Sequence, residues 1–175
     1  PILPTLLEAI VSLIPVHGGL DAPVNRTVPL SQRKAFLAEA STLPKVEVTD
    51  ADLATVYRIA DGTLSPLTGP MTEDQWNLVL DERVILSNGD RYAWTIPLAF
   101  PITDAEAATV NVGGRVALTN SAGDIVGVVN VSSMYDWDKA RYVNSVYRTE
   151  RTDHPGGAIV TDDSRGKLIG GELKA

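Results

Sequence analysis

The sequence predicts an α+β fold in which helices come first and a mostly antiparallel sheet follows. Two observations lead to this prediction. Apolar residues recur at helical spacing, behind capping residues, as far as Leu80. From Val84 onward, apolar and β-branched residues alternate between turn signals at 88–90, 113–114 and 121–124. Helices and strands that are segregated along a chain are typical of the α+β class.

Two helices are predicted before position 45. The first is indicated by apolar residues at helical spacing ahead of Pro15, namely Leu3, Leu6, Leu7, Ile10 and Ile14. It should end near Ile14, because the residue before a proline disfavours helical geometry. Ser31 can cap a second helix over residues 32–38, and Pro44 marks its end.

The next two helices carry stronger capping signals. Thr49 or Asp50 can cap a helix that ends at Gly62 and whose apolar residues are Leu53, Val56, Tyr57 and Ala60. Thr72 and Gln75 have capping-box spacing ahead of a second apolar series, Trp76, Val79 and Leu80. Both helices should bury their apolar sides.

The predicted strands follow the turn signals. A brief strand is expected at 46–48, and Arg115–Thr119 should pair with residues 125–131 as a hairpin across the turn at 121–124. Residues 137–147 return to helical spacing. Predicted helices therefore come both before and after the main group of predicted strands along the chain.

Composition predicts a single domain over residues 1–175. The chain has 175 residues, of which 44% are hydrophobic, so it can bury one sizeable core and should fold on its own. No internal linker is evident, although Gly170 and Gly171 would suit a domain boundary. Cysteine is absent from the sequence, which excludes disulfides and thiolate metal sites within it.

Charge and hydropathy exclude further classes of partner. The net charge of −7 repels polyanions, so nucleic acid is not expected as a ligand. The most apolar stretch, residues 2–14, is interrupted by Pro4, Glu8 and Ser12 and is too short to span a membrane. No secretion signal is evident, and the protein is predicted to be cytoplasmic.

Isolated motifs favour no particular reaction. His17 and His154, the two histidines, have no helical i, i+4 partner of the kind that zinc motifs use. Ser65 lacks the glycine-flanked elbow of a serine nucleophile. The glycine pairs at 113–114 and 170–171 lack the lysine and hydroxyl residue of a phosphate-binding loop. No catalytic, cofactor-binding or metal-binding residue is therefore assigned, and no cofactor is expected in this chain.

Other polar and aromatic pairs have ordinary structural interpretations. The adjacent acids at 73–74 and 162–163 are typical of helix starts and turns. Tyr92 and Trp94 lie on one side of a predicted strand, where a core role is favoured over a stacking platform.

A series of short blocks, in this order, resembles the N-terminal domain of the ATP sulfurylase family. The blocks are His17-Gly18-Gly19-Leu20, the segment Asp61 to Met71 with its Leu-Ser-Pro-Leu-Thr-Gly-Pro core, Trp94-Thr95-Ile96-Pro97-Leu98, Val146-Tyr147-Arg148-Thr149, Asp153-His154-Pro155-Gly156 and Gly170-Gly171. Leu64 and Pro70 stand where the family has phenylalanines, and Arg148 stands in the family's Tyr-Gly-Thr run. Together the blocks span residues 15–171.

The resemblance implies a PUA-like pseudo-barrel of mostly antiparallel strands with packed helices. It also implies that the full-length protein, a sulfate adenylyltransferase, joins sulfate to ATP and releases pyrophosphate. The family's substrate-binding segments, Gln-x-Arg-Asn-Pro, His-x-x-His and Gly-Arg-Asp-His, belong to a following catalytic domain and do not occur here. We therefore expect this chain alone to be inactive.

The resemblance also implies partners, and it leaves one alternative open. The chain's partner would be its own C-terminal catalytic domain, and the full enzyme could assemble as a homo-oligomer. The alternative is a free-standing PUA-like module that binds RNA or protein, although the net charge of −7 disfavours RNA.

His154 is the residue for which a role beyond local structure is predicted. The His-Pro-Gly turn at 154–156 lies shortly before the expected end of the domain. We predict that His154 lies at the junction with the catalytic domain. A turn histidine that serves only its own domain remains the other interpretation.

Overall fold

The computed structural model describes residues 15–149, 151 and 153–175. The helix predicted to end near Ile14 lies outside the described residues. Within them, the elements are α1 (Leu30–Ala40), β1 (Lys45–Glu47), α2 (Asp50–Ala60), α3 (Glu73–Glu82), β2 (Val84–Ser87), β3 (Asp90–Ala93), β4 (Phe100–Ile102), α4 (Asp104–Ala107), β5 (Arg115–Thr119), β6 (Ile125–Asp136), α5 (Lys139–Tyr147), α6 (Pro155–Asp162) and β7 (Lys167–Lys174). None of the described helices is long and apolar enough to cross a membrane.

Five strands form one mixed sheet in the order β1-β5-β6-β7-β4. The β5–β6, β6–β7 and β7–β4 pairs are antiparallel, and β1 runs parallel to β5. The twelve-residue strand β6 pairs with β5 through its first half and with β7 as far as Asp136, with a register shift between Val131 and Ser133. Such a shift bends a strand. The predicted α+β class and mostly antiparallel sheet are confirmed.

The interior of this bent sheet holds the larger apolar core. Buried residues from every strand of the sheet and from α2 meet in one cluster, which includes Val46, Ile59, Phe100, Leu118, Val129, Ile169 and Leu173. A second cluster lies outside the barrel, between the sheet and helices α3, α5 and α6, and includes Trp76, Tyr135, Tyr142, Val160 and Leu168. The fold is therefore a barrel-like sheet with a helical layer, as predicted for a PUA-like domain.

The helix starts show which capping predictions hold. Thr49 accepts a hydrogen bond from the Asp52 N–H and caps α2, and Thr72 forms the predicted capping box with Gln75 at the start of α3. The helix predicted behind Ser31 instead begins at Leu30 and has no side-chain cap. A proline at position 29 supplies the preset backbone geometry for this earlier start.

The predicted boundary at Gly170-Gly171 is wrong. Both residues lie inside β7, and both are buried. A Cβ atom on Gly170 would overlap the backbone carbonyl of Met71, and one on Gly171 would overlap the carbonyl of Asn130. These glycines serve close backbone packing within the sheet, which is a different use of glycine from a flexible linker.

The segment at 65–71 packs against this part of β7. The Gly171 N–H donates to the Pro70 carbonyl (2.8 Å), and the Leu173 N–H donates to the Thr68 carbonyl (2.9 Å). Within the segment, the side chains of Leu67 and Met71 are buried. The segment therefore continues the edge of the sheet that β4 begins.

Arg165, just before β7, joins three parts of the fold. Its guanidinium bonds Asp163 after α6, Asp52 in α2 (3.4 Å) and the Pro101 carbonyl in β4 (3.2 Å). Burial opposes ionisation of Asp163, but the hydrogen bonds and charge of Arg165, together with the charge of Lys139, outweigh it and hold the pKa of this carboxyl below its ordinary value. Both partners are thus charged in the folded state at neutral pH.

We predict that Gly170→Ala lowers the free energy of unfolding by about 1–3 kcal/mol, because the added methyl group overlaps the Met71 backbone. Gly166→Ala is the matched control: position 166 has open space around its Cβ direction and no positive φ. This control should be neutral or slightly stabilising. Urea unfolding followed by circular dichroism measures both variants. Equal stability of the two variants would show that the close packing at Gly170 is unimportant.

Candidate functional site

His154 lies at the corner between α5 and α6. It is the N-cap residue of α6, and its Nδ1 accepts a hydrogen bond from the Gly157 N–H (3.4 Å). Its ring packs on Tyr147, the last residue of α5, with the ring centroids 4.6 Å apart. The side chain is otherwise exposed. His154 therefore has a local role in starting α6, and its exposed ring is accessible to a neighbouring domain.

The residues after His154 begin a helix that the sequence reasoning missed. Pro155 occupies the first helical position, where its missing N–H costs nothing. A Cβ atom on Gly156 would overlap the Tyr147 ring, so glycine allows α6 to approach α5 closely. The predicted turn at 153–156 is thus the entry to α6. Its glycine-rich start concealed the helix.

Arg148 occupies the position of the glycine in the family's Tyr-Gly-Thr run. It follows α5 and adopts the left-handed conformation, with φ 57° and ψ 30°. This conformation favours glycine, because a Cβ atom is strained there. Position 148 therefore requires the geometry that a glycine in the family's run would adopt most easily.

His17 belongs to a separate aromatic group. Its exposed ring lies 5.7 Å from the Tyr92 ring and 5.9 Å from the Trp94 ring, measured between centroids. The next residue is held to β2 because the Ser87 hydroxyl donates to the Gly18 carbonyl (2.7 Å). Tyr92 and Trp94 are half-buried against a small apolar cluster, which agrees with the predicted core role.

Ser65 is occupied by structural bonds. Its hydroxyl donates to the Gly62 carbonyl (2.6 Å) and accepts from the Val24 N–H (2.8 Å), and the residue is 4% exposed. The acids at 73–74 lie in the first turn of α3, as expected for a helix start. Among the described residues, no group of three or more His, Cys, Asp or Glu side chains is placed to hold a metal ion.

An open groove near the end of the chain was not foreseen from the sequence. It has a volume of about 900 Å³ and lies between α1, α2, the β5–β6 turn and Ala175. Two apolar side chains on its walls are conspicuously exposed: Leu30 at 85% and Tyr57 at 51%. Tyr57 was expected on the buried side of α2, but it borders the groove instead. Sequence spacing cannot distinguish a buried side from a groove wall.

His154 is not among the residues that line the groove, and β7 lies between His154 and the groove residue Ala175 along the chain. Helix α6 leads into the start of this strand, and the eight residues of β7 then carry the chain to Ala175. At about 3.3 Å per residue, the strand is about 26 Å long. Nearness in sequence to the end of the domain therefore does not by itself place His154 beside Ala175. The junction role of His154 stays a prediction.

Known proteins similar to this chain include a family model and several sulfate adenylyltransferases. The family model described as a PUA-like domain matches residues 14–175. The sulfate adenylyltransferase of Pyropia yezoensis is 46% identical over 159 residues, and that of Synechocystis sp. is 38% identical over 154 residues. These matches cover 91% and 88% of this chain but 36% and 38% of the relatives. The chain thus spans little more than a third of the length of these relatives.

A solved structure supports the architecture. The hexameric APS kinase from Thiobacillus denitrificans aligns with 93% of this chain and 26% of its own, with a TM-score of 0.66 and 24% sequence identity. At this identity the likeness concerns the fold. It agrees with the barrel-like sheet and helical layer described above.

We predict that His154→Ala lowers the free energy of unfolding by about 0.5–1 kcal/mol, because α6 loses its N-cap. His154→Asp should restore most of this loss, since aspartate is a strong N-cap and its charge suits a helix N-terminus. Thermal unfolding of the two variants measures the difference. Equal destabilisation by alanine and aspartate would mean that the cap contributes nothing.

The same pair separates capping from a junction role. If His154 contacts a following domain, His154→Asp should impair the longer protein although the cap is retained. A longer protein that is unaffected by His154→Asp would limit the residue to its local role.

Proposed function

This chain belongs to the family of PUA-like domains, and we propose that it forms the N-terminal, non-catalytic part of a sulfate adenylyltransferase. The observation that supports this most strongly is the 46% identity to the Pyropia yezoensis sulfate adenylyltransferase over 91% of this chain. The matched region is 36% of that relative. The longer protein would therefore have room for a separate catalytic domain.

The proposed reaction of the longer protein joins sulfate to ATP, giving adenosine 5′-phosphosulfate and pyrophosphate. Stabilising the charge that develops on the reacting phosphorus requires positioned cations and hydrogen-bond donors. The segments to which the family resemblance assigns this work are not in the present sequence. In this proposal, the chemistry belongs to another part of the longer protein.

Two arginines among the described residues have structural roles. Arg165 bonds two carboxylates and a carbonyl, and Arg141 bonds Asn77 (2.6 Å) and Asp81 (2.8 Å) across the interface between α5 and α3. These cations hold the domain together. A transferring nucleotidyl group needs cations that are free to face the substrate.

We further propose that the longer protein acts in sulfate assimilation in the cytoplasm. In this proposal, the PUA-like domain stabilises the catalytic domain and contributes to any assembly of enzyme subunits. Its net charge of −7 gives a surface that repels nucleic acid on average.

We predict that the full-length gene product releases pyrophosphate from ATP in a sulfate-dependent manner, and that the purified 175-residue chain does not exceed background. Two further samples complete the design: the full-length protein without sulfate, and the remainder of the protein without residues 1–175. The remainder should unfold at a lower temperature than the full-length protein. Activity of the 175-residue chain alone, or inactivity of the full-length protein, would contradict the proposal. Salt-sensitive RNA binding by the chain would favour the alternative of an RNA-binding module.

A further inference from the structure

The last residue of the chain is paired with a segment that runs beside it. The Ala175 N–H donates to the Arg26 carbonyl (3.2 Å), and the Ala175 carbonyl accepts from the Val28 N–H (2.7 Å). Bonds from one residue to both neighbours of another are the pattern of a parallel strand pair, here Ala175 with Thr27. The Arg26 side chain strengthens the arrangement, because its Nε donates to the Leu173 carbonyl (2.8 Å).

The next hydrogen-bonding groups along this edge are open. In a parallel pair, a residue two positions beyond Ala175 would donate to the Val28 carbonyl and accept from the Leu30 N–H. Neither group has a hydrogen-bond partner among the described residues. Leu30 is the first residue of α1, so its N–H is one of the four that a helix leaves unpaired, and α1 has no side-chain cap.

The groove lies next to this open strand edge. Ala175 itself borders the groove, as do Val28 and Leu30, the residues that flank the open edge. Tyr57 and the half-buried Phe36 also line the groove. Exposed apolar walls beside unpaired strand-edge groups match the needs of an extended polypeptide, which brings backbone groups and apolar side chains together.

We propose that, in the longer protein, the residues that follow Ala175 extend β7 against residues 27–30 and place apolar side chains in the groove. The occupant is thus the connecting segment to the next domain. This inference rests on the proposed function, because it requires a chain that continues beyond this domain. The connection is then a continuation of the sheet, and the two domains are held in a fixed relation.

The length of the relatives supports this occupant over a second copy of the chain. More than half of each relative lies outside the matched region, and in the proposed arrangement that part begins at the groove. The connecting segment reaches the groove without any loss of translational freedom, since it is covalently attached. A second copy would have to bear that cost.

The test uses thiol labelling, because the sequence contains no cysteine and each introduced thiol is unique in the 175-residue chain. Tyr57→Cys places a thiol on the groove wall. Leu86→Cys is the control of matched exposure, since Leu86 is 58% exposed on β2, and Ala117→Cys is the folding control, since Ala117 is 0% exposed. Rates of maleimide labelling are measured by peptide mass spectrometry in the 175-residue chain and in the full-length protein.

We expect the thiol at position 57 to react at least about tenfold more slowly in the full-length protein, a change that corresponds to about 1.4 kcal/mol of protection. The thiol at position 86 should react at similar rates in both proteins, and the thiol at position 117 should be protected in both. Leu30→Pro removes the open N–H at a helix position that tolerates proline, whereas Leu30→Ala keeps it. In the full-length protein, Leu30→Pro should therefore restore more reactivity at position 57 than Leu30→Ala does.

Each outcome separates this inference from the proposed function. Sulfate-dependent pyrophosphate release together with an unprotected thiol at position 57 would overturn the inference and leave the function standing. Protection without activity would support the inference and contradict the function. Protection that disappears on dilution, or that is equal in the 175-residue chain at high concentration, would identify a second copy as the occupant and overturn the inference.

Discussion

The backbone pairing of β7 is the interaction on which the rest of the structure depends. One edge of this strand pairs with β6 from Lys167 to Lys174. The other edge pairs first with β4, then with the carbonyls of Pro70 and Thr68, and finally with Arg26. Four separate stretches of chain thus meet on residues 167–175, and three of them, β6, β4 and the segment at 65–71, place apolar side chains in the cores.

Neighbouring backbone can approach the middle of β7 closely only because glycines stand there. The segment at 68–71 can reach the strand because Gly170 carries no Cβ atom, and the missing Cβ atom of Gly171 lets β6 approach from its other edge. Gly69, in the segment that packs on β7, is likewise restricted to glycine, since a Cβ atom there would overlap the Gly171 carbonyl. The blocks that resemble the sulfurylase family at 61–71 and at 170–171 are therefore two halves of one contact. Their joint presence has a physical reason.

Much of the fold could be predicted from local signals. The caps at Thr49 and Thr72 act within three residues, and the turn at 88–90 has positive φ at Asn88 and Gly89, as a tight hairpin needs. Helix α6 was missed because its Pro-Gly-Gly start resembles a turn. The role of Gly170 was misread because glycine in a linker and glycine in a tight contact look alike in sequence. The groove was missed because it joins α1, α2 and Ala175, which only the tertiary fold brings together.

The location of His154 relative to the end of the chain also could not be predicted from local signals. His154 could be identified as a turn residue, but its distance from Ala175 depends on the tertiary path of α6 and β7. The position of Ala175 depends likewise on tertiary contacts, its backbone bonds to Arg26 and Val28.

Native-state hydrogen exchange of the β7 amides tests the central importance of this strand most directly. The Gly171 and Leu173 N–H groups should exchange only through global unfolding, with protection equal to that of Ile169, while the uncapped Leu30 N–H exchanges rapidly. Exchange of Gly171 and Leu173 at a much lower free energy than Ile169 would contradict the account. It would show that the segment at 68–71 opens independently and that β7 does not hold the domain together.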